Sequence, residues 1–290
     1  MSAPIGPVPN LALVLLCVLL AAPTAGAQAP TFSTRREVVR VDVLVSEGGR
    51  PVTGLTPADF DVRDNGVRQT IDLARLESMP LNVVLAFDMS KSVAGQRLAD
   101  LRKAGAAVLG ALAPGDRVGL VTFSHVPTLS QALTDDPAPI GSALERLEGR
   151  GDTALVDGLY ASILVGESDG GRSLVIVFSD GMDTASWLPR SSVLETARLS
   201  EVVVYGVTAG ESRDAAFLRD VGQATGGRSL EVGSTADLAR TFVAIFDEFR
   251  YRYLLTYTPT GVDQDGWHEL NVRVKRRGAA VTAARPGYFR

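Results

Sequence analysis

Four runs in the middle of this chain are almost wholly apolar: "LNVVLAF" (81–87), "RVGLVTF" (117–123), "SLVIVFSD" (173–180) and "EVVVYGV" (201–207). A strand with one wet face alternates. A continuous apolar run of this length marks a strand buried on both faces, and such strands form parallel sheets covered by helices. The segments between them carry helical spacing. "VAGQRLADLRKAGAAVLGAL" (93–112) sets Leu98, Leu101, Ala104 and Val108 on one stripe, and "PIGSALERLEG", "ALVDGLYASILV", "RSSVLETARL", "DAAFLRDVGQAT" and "TADLARTFVAIFDEF" follow suit. Asp214, and Ser234 or Thr235, stand where N-caps belong. Alternating strand and helix predict an α/β fold over 79–250, a doubly wound, mostly parallel sheet with helices on both faces.

The flanks read differently. "VVRVDVLV" alternates polar and apolar residues, "EGGRP" is a turn, and "DFDVRD" and "QTIDLARL" are strands divided by "NG", a strong hairpin signal. After Tyr251, "YRYLLTYTP" and "WHELNVRVKR" alternate again, and "AAVTAARPGYFR" offers a third strand. Each flank is too small to fold alone. The economical expectation is a single small β-sandwich built from 33–78 and 251–290 around the α/β insert.

The first 30 residues contain no charged side chain. "LALVLLCVLLAA" (11–22) has the length of a signal-peptide core and is short for a membrane span, and "AGAQA" (25–29) supplies small residues for cleavage. The expectation is a signal peptide over 1–29 and an exported chain, periplasmic, cell-surface or secreted, with no membrane span once mature. The n-region lacks Lys and Arg. Cys17 is the only cysteine and lies in that run, so the mature chain is expected to have neither disulfide nor thiolate metal site. Hydrophobic content of 46% with 21% charged residues fits a globular protein, and a net charge of −4 with no basic block argues against nucleic acid. "VKRRG" (274–278) reads as a solvated strand end.

Ligands of open α/β sheets bind beyond the carboxyl ends of the strands, where strand order reverses. The first run ends in Asp88, followed by Ser90 and Ser92; the third ends in Asp180; and "RGDTALVDG" (150–158) places Thr153 in a loop before a helix. Alone, Asp88, Ser90 and Ser92 are compatible with a helix cap, a metal site or a nucleophile. If the two strands are neighbours, two carboxylates and three hydroxyls converge. These are all hard oxygen donors, with no His or Cys among them, a set that suits Mg²⁺, Mn²⁺ or Ca²⁺ and disfavours zinc. Two carboxylates leave the cation partly unneutralised and able to attract an external acid.

The D-x-S-x-S of Asp88, Ser90 and Ser92, then Thr153 in "GDTAL", then Asp180 in "FSDG", resembles the metal-ion-dependent adhesion site of von Willebrand factor type A domains. The resemblance covers about 79–250, with "GDRVGLVTFS" and "GVTAG" also in place, and the whole mature chain looks like bacterial exported VWFA-related domain proteins. It implies that Ser90 and Ser92 bind the metal directly, that Thr153 does so when the site is open, and that Asp88 and Asp180 act largely through waters and hydrogen bonds. It implies further that a Glu or Asp of a partner protein fills the last position. The chain departs from the pattern in carrying Asp152 where a second Gly is usual, and Lys91 either steers acidic ligands or pairs with Asp152.

Neighbouring residues have plainer readings. Asp183 is a turn residue, Asp157 a helix residue beside the site, His125 a solvated loop residue or a rim contact. Trp187 covers local apolar surface or meets a partner, and Trp267 and the C-terminal Tyr and Phe residues belong to the sandwich core. The expected function is metal-dependent capture of an acidic side chain on a protein partner. One alternative is a structural envelope protein whose metal only stabilises the fold. Another is a Mg-dependent phosphohydrolase using Asp88, which lacks the second acid two residues on and any evident phosphate clamp. No P-loop, G-x-S-x-G elbow or histidine-rich motif occurs, and no enzymatic activity is expected.

Overall fold

A computed structural model describes residues 38–290 apart from 76–78, 181, 211–212 and 264. The expected leader over 1–29, with Cys17, lies outside the described residues. Among the described residues no helix is long and apolar enough to cross a membrane.

The described residues open in β structure, with β1 (Val39–Glu47), β2 (Arg50–Pro51), β3 (Phe60–Asp64), β4 (Val67–Gln69) and β5 (Leu73–Arg75). The α/β part follows: β6 (Leu81–Asp88), α1 (Gln96–Ala111), β7 (Arg117–Phe123), β8 (Pro127–Thr134), α2 (Pro137–Glu145), α3 (Leu155–Glu167) and β9 (Arg172–Ser179). It continues with α4 (Arg190–Leu199), β10 (Val203–Ala209), α5 (Ala215–Thr225), β11 (Arg228–Val232) and α6 (Leu238–Arg250). The chain ends in β12 (Tyr253–Tyr257), β13 (Trp267–Val274), β14 (Ala280–Ala283) and β15 (Gly287–Phe289).

The central sheet runs β11-β10-β9-β6-β7-β8. All pairings are parallel except β7 with β8, which closes one edge as an antiparallel strand. The sheet is therefore doubly wound: the chain starts in the middle at β6, fills one side, then crosses to β9 and fills the other. The apolar runs are legible as strands because each is buried along its whole length, as β6 and β9 are. β8 and β11 carry no such signal, since both are edge strands whose polar, half-exposed residues give no continuous run. Alternate residues divide between two cores. On one face Leu81, Val83, Leu85 and Phe87 meet α1, α2 and α6. On the other, Val84 and Ala86 face α3, α4 and α5. The stripe Leu98, Leu101, Ala104 and Val108 is buried as its spacing predicts. Each large apolar side chain of these cores contributes roughly 1.5–3 kcal/mol of burial. α3 lies very close to β7: a Cβ on Gly158 would sit 2.5 Å from Phe123 Cγ, so any side chain there forces the helix or the Phe123 ring to move.

The flanking strands form two antiparallel sheets, β14-β1-β12-β5 with β2 paired to β1, and β15-β13-β3-β4. Both sheets contribute to one shared core containing Val41, Val43, Phe60, Val62, Tyr253, Leu255 and Tyr257, so the sandwich joins residues from the two ends of the chain. Two details differ from the expectation drawn from alternation. After the Asn65-Gly66 turn, where both residues have positive φ, the strand ends at Gln69, and β5 joins the other sheet. The last segment likewise makes two strands, β14 and β15, in different sheets. In both places the chain switches sheet, which an alternating pattern cannot reveal because alternation continues through the corner.

The sandwich attaches at the amino ends of the parallel strands. Arg172, at the start of β9, donates to Asp42 of β1 (2.5 Å) and to the carbonyls of Phe249 (2.9 Å) and Arg252 (3.0 Å). Arg252 is fully buried and donates to the Gly226 carbonyl (2.7 Å) and the Tyr205 hydroxyl (2.6 Å). The carboxyl ends of the strands are left clear of the sandwich.

Candidate metal centre

β6 and β9 are neighbours, in register from Leu81↔Arg172 to Phe87↔Phe178. This is the switch point of the sheet, and it sets Asp88 beside Ser179. Asp88 is fully buried. One of its oxygens accepts from the Ser90 amide (2.8 Å), a local turn in which the aspartate closes over its own loop. The other accepts from the Ser179 hydroxyl (2.7 Å). Burial pushes the Asp88 carboxyl up to about 6, against the lowering effect of hydrogen bonds from Ser179 and Ser90, and the nearby charge of Asp180 raises it further.

Ser90 and Ser92 follow in a tight turn over Lys91–Val93. The Ser92 hydroxyl donates to Asp180 Oδ1 (2.7 Å). The Ser90 and Ser92 hydroxyl oxygens are 3.0 Å apart. With the Ser92 hydrogen committed to Asp180, Ser90 is the donor in that contact. The hydrogens thus point along a relay from Ser90 through Ser92 to Asp180, and both serine oxygens keep lone pairs for an electron-seeking group.

Thr153 reaches this place through backbone stitching. The Lys91 amide donates to the Gly151 carbonyl (3.1 Å) and the Arg150 amide to the Met89 carbonyl (2.7 Å), tying the loop before α3 to the loop after β6. On its other side the Thr153 carbonyl accepts from the amides of Thr184 (2.8 Å) and Ala185 (3.1 Å), and the Thr153 amide donates to the Thr184 hydroxyl (3.2 Å). Three loops at one sheet edge are therefore joined with Thr153, itself buried, at their meeting point. The loop after β9 is held further by Asp157, which accepts from the amides of Trp187 (3.0 Å) and Leu188 (2.9 Å), and by Asp183, which accepts from the Ser186 hydroxyl (2.6 Å).

Asp180 has a partner that sequence reasoning missed. Arg97, in the first turn of α1, donates to Asp180 Oδ2 (2.5 Å) and to the Ser92 carbonyl (3.3 Å). Nothing in the spacing singles Arg97 out among the basic residues of α1. Ser179 was also missed, although "FSDG" places it opposite Asp88 on the neighbouring strand end. Lys91 and Asp152 both lie exposed at the rim, and among the described residues no ion pair joins them. His125 is exposed too, beside Gly151. Trp187 is 89% exposed, so it does not cover local apolar surface. Asp214 occupies the N-cap position of α5 without capping it; its carboxylate instead takes the Asp183 amide and pairs with Arg190. Ser234 does cap, accepting from the Ala236 amide (3.3 Å).

Among the described residues no group of three or more His, Cys, Asp or Glu side chains is arranged to hold a metal. A cation at this sheet edge therefore depends on hydroxyls. Serine oxygens with lone pairs available, backed by two carboxylates whose side chains are enclosed, fit a hard divalent ion.

Residues 83–182 match the family model described as von Willebrand factor type A domain. A solved von Willebrand factor type A protein from Catenulispora acidiphila superposes with a TM-score of 0.54 at 12% identity, over 86% of this chain and 71% of that one. Proximal thread matrix protein 1 from the mussel byssus, solved with a zinc-occupied MIDAS motif, gives a TM-score of 0.53 at 18% identity, over 63% of this chain and 48% of that one. At these identities the likeness is one of fold. A UPF0353 protein of Mycobacterium leprae is 25% identical over 234 residues, which is 69% of this chain and 68% of the relative.

Proposed function

We propose that this chain is an exported, metal-dependent protein-binding module. Residues 79–250 form the binding domain, and the strands of 33–78 and 251–290 form a supporting sandwich at its opposite end. Ser90, Ser92 and Thr153 would hold Mg²⁺ or Mn²⁺ directly, with Asp88 and Asp180 behind them. When bound, the ion supplies an electrophilic position open to the carboxylate of a partner's Asp or Glu. The observation that carries this reading is the hydroxyl relay Ser90–Ser92–Asp180, in which the serine hydrogens point inward and the oxygens are left for a cation. Export rests on the apolar leader expected over 1–29, and the exposed Trp187 stands beside the site loops as a contact for the partner.

The chain's residues divide the work. Asp88 and Ser179 fix the end of β6 against β9, the backbone bonds of Gly151 and Met89 hold Thr153 close, and Asp157 anchors the third loop. Pull-down from envelope extract with and without chelator tests the reading. A set of proteins retained only when Mg²⁺ or Mn²⁺ is present, and lost in Thr153→Ala, is expected. Identical proteins in both lanes would reject it.

A further inference from the structure

We infer that Arg97 is a resident counter-ion of this site, an internal cation that competes with the divalent ion for Asp180 and so sets how much metal is needed to load it. The inference rests on the metal-site reading above.

The side chain of Asp180 is fully enclosed (0% exposed) while that of Arg97 is half exposed (50%). The two oxygens of Asp180 are divided between two kinds of partner: Oδ1 takes the Ser92 hydroxyl and Oδ2 takes the guanidinium. Asp88, one strand over, is served by neutral donors, the Ser90 amide and the Ser179 hydroxyl. Among the described residues, the positive charge bonded to this carboxylate pair thus sits on Asp180. It reaches on to the Ser92 carbonyl, so it straddles the very residue whose hydroxyl would ligate the metal. A divalent ion held by Ser92 and a guanidinium held by Asp180 touch opposite ends of one hydrogen-bonded pair. That is well inside the screening length of roughly 8 Å, so their repulsion is felt almost in full.

The guanidinium is a permanent charge, so the competition lasts as long as it stays on Asp180. It is relieved by movement. Arg97 lies in the first turn of α1, is not among the buried residues of that helix, and has a half-exposed side chain. Without metal, Arg97 compensates a buried carboxylate that would otherwise destabilise the fold. With metal, the ion takes over that role.

The test is a calorimetric titration of the metal-free full chain with MgCl₂ and MnCl₂, comparing wild type with Arg97→Gln and Arg97→Lys. The glutamine retains a hydrogen-bond donor and removes the charge; the lysine keeps the charge. Arg97→Gln is expected to bind Mg²⁺ about tenfold more tightly, to melt at a lower temperature than wild type without metal, and to recover at saturating Mg²⁺. Arg97→Lys is expected to stay close to wild type. In the wild type, the Arg97 guanidinium NMR signals are expected to change from slow to fast solvent exchange as Mg²⁺ is added, a measurement that does not depend on any variant folding. Equal or weaker Mg²⁺ binding by Arg97→Gln, with wild-type binding intact, overturns the inference and leaves the metal site standing. Failure of wild type and both variants to take up either ion removes the metal site and the inference together.

Discussion

Asp64 in the sandwich and Asp180 at the sheet edge are both carboxylates with fully enclosed side chains, and both accept hydrogen bonds from hydroxyls. Their surroundings differ. Asp64 receives the Tyr257 hydroxyl (2.9 Å), the Tyr288 hydroxyl (2.7 Å) and His268 Nδ1 (2.7 Å). These donors sit on rings that fill the sandwich core, and burial together with the Asp64 charge pushes both tyrosine hydroxyls well above their ordinary range, so they remain neutral donors. His268 sets Nδ1 beside Asp64 and leaves Nε2 buried without a hydrogen-bond partner among the described residues. Asp88 and Asp180 are instead served by the small hydroxyls of Ser179 and Ser92, with the Ser90 amide on Asp88 and the half-exposed Arg97 on Asp180. The same physical problem, a buried negative charge, is closed by packed rings in one place and met by small hydroxyls and a half-exposed guanidinium in the other.

Four variants put that contrast at risk. Asp64→Ala strands two tyrosine hydroxyls and a histidine, and urea denaturation should show a loss of about 3–5 kcal/mol, indifferent to Mg²⁺. A loss under about 1 kcal/mol, or one restored by metal, would mean that the sandwich cluster is not closed.

Asp88→Asn comes next. The folded-state carboxyl is raised from 3.8 to about 6, so the folded protein holds that proton more tightly than the unfolded chain does. Its contribution to stability is fully present below pH 3.8 and is lost as pH rises through about 6. Metal-free Asp88→Asn should therefore be more stable than wild type at about pH 7.5, by up to about 3 kcal/mol, with the gain gone near the unfolded value of 3.8. Equal stability of the two proteins at both pH values would count against a strained Asp88.

Ser90→Ala/Ser92→Ala should leave metal-free stability within about 1 kcal/mol and abolish stabilisation by Mg²⁺, which at roughly a hundredfold excess over Kd amounts to about 2.7 kcal/mol. Thermal melts with and without Mg²⁺ decide this; a metal shift that survives in the double variant rejects the site. The smallest effect is expected from Tyr288→Phe, which removes one of the donors on Asp64 and should cost about 1.5 kcal/mol with Mg²⁺ binding unaltered. Altered Mg²⁺ affinity would show that the two ends of the molecule are coupled.

Much of this arrangement is readable from the residues, for identifiable reasons. Strands buried on both faces announce themselves because almost no polar residue survives in them, and β6, β7, β9 and β10 all do. Asp88 and Asp180 stand out because each breaks such a run at its end. Edge strands escape notice: β8 and β11 are half wet and resemble loops. The sandwich pairing is expected in outline, but the corners after Gln69 and at Arg285 are not, because alternation looks the same whichever sheet a strand joins. Asp214 looks like a cap and serves as a partner of Arg190, a choice made by a loop distant in sequence.

The order of residues is enough to specify the buried parallel strands, the helices that cover them and the oxygens at the strand ends, because burial and residue chemistry are local and leave a periodic trace. Folding in three dimensions was needed to set β6 and β9 side by side, to stitch the loop of Thr153 to that of Ser90, and to make Arg97 rather than Lys91 the neutraliser of an acid of the site. Those outcomes depend on strand order and on which charges lose their water together, and neither is written in the spacing of residues along the chain.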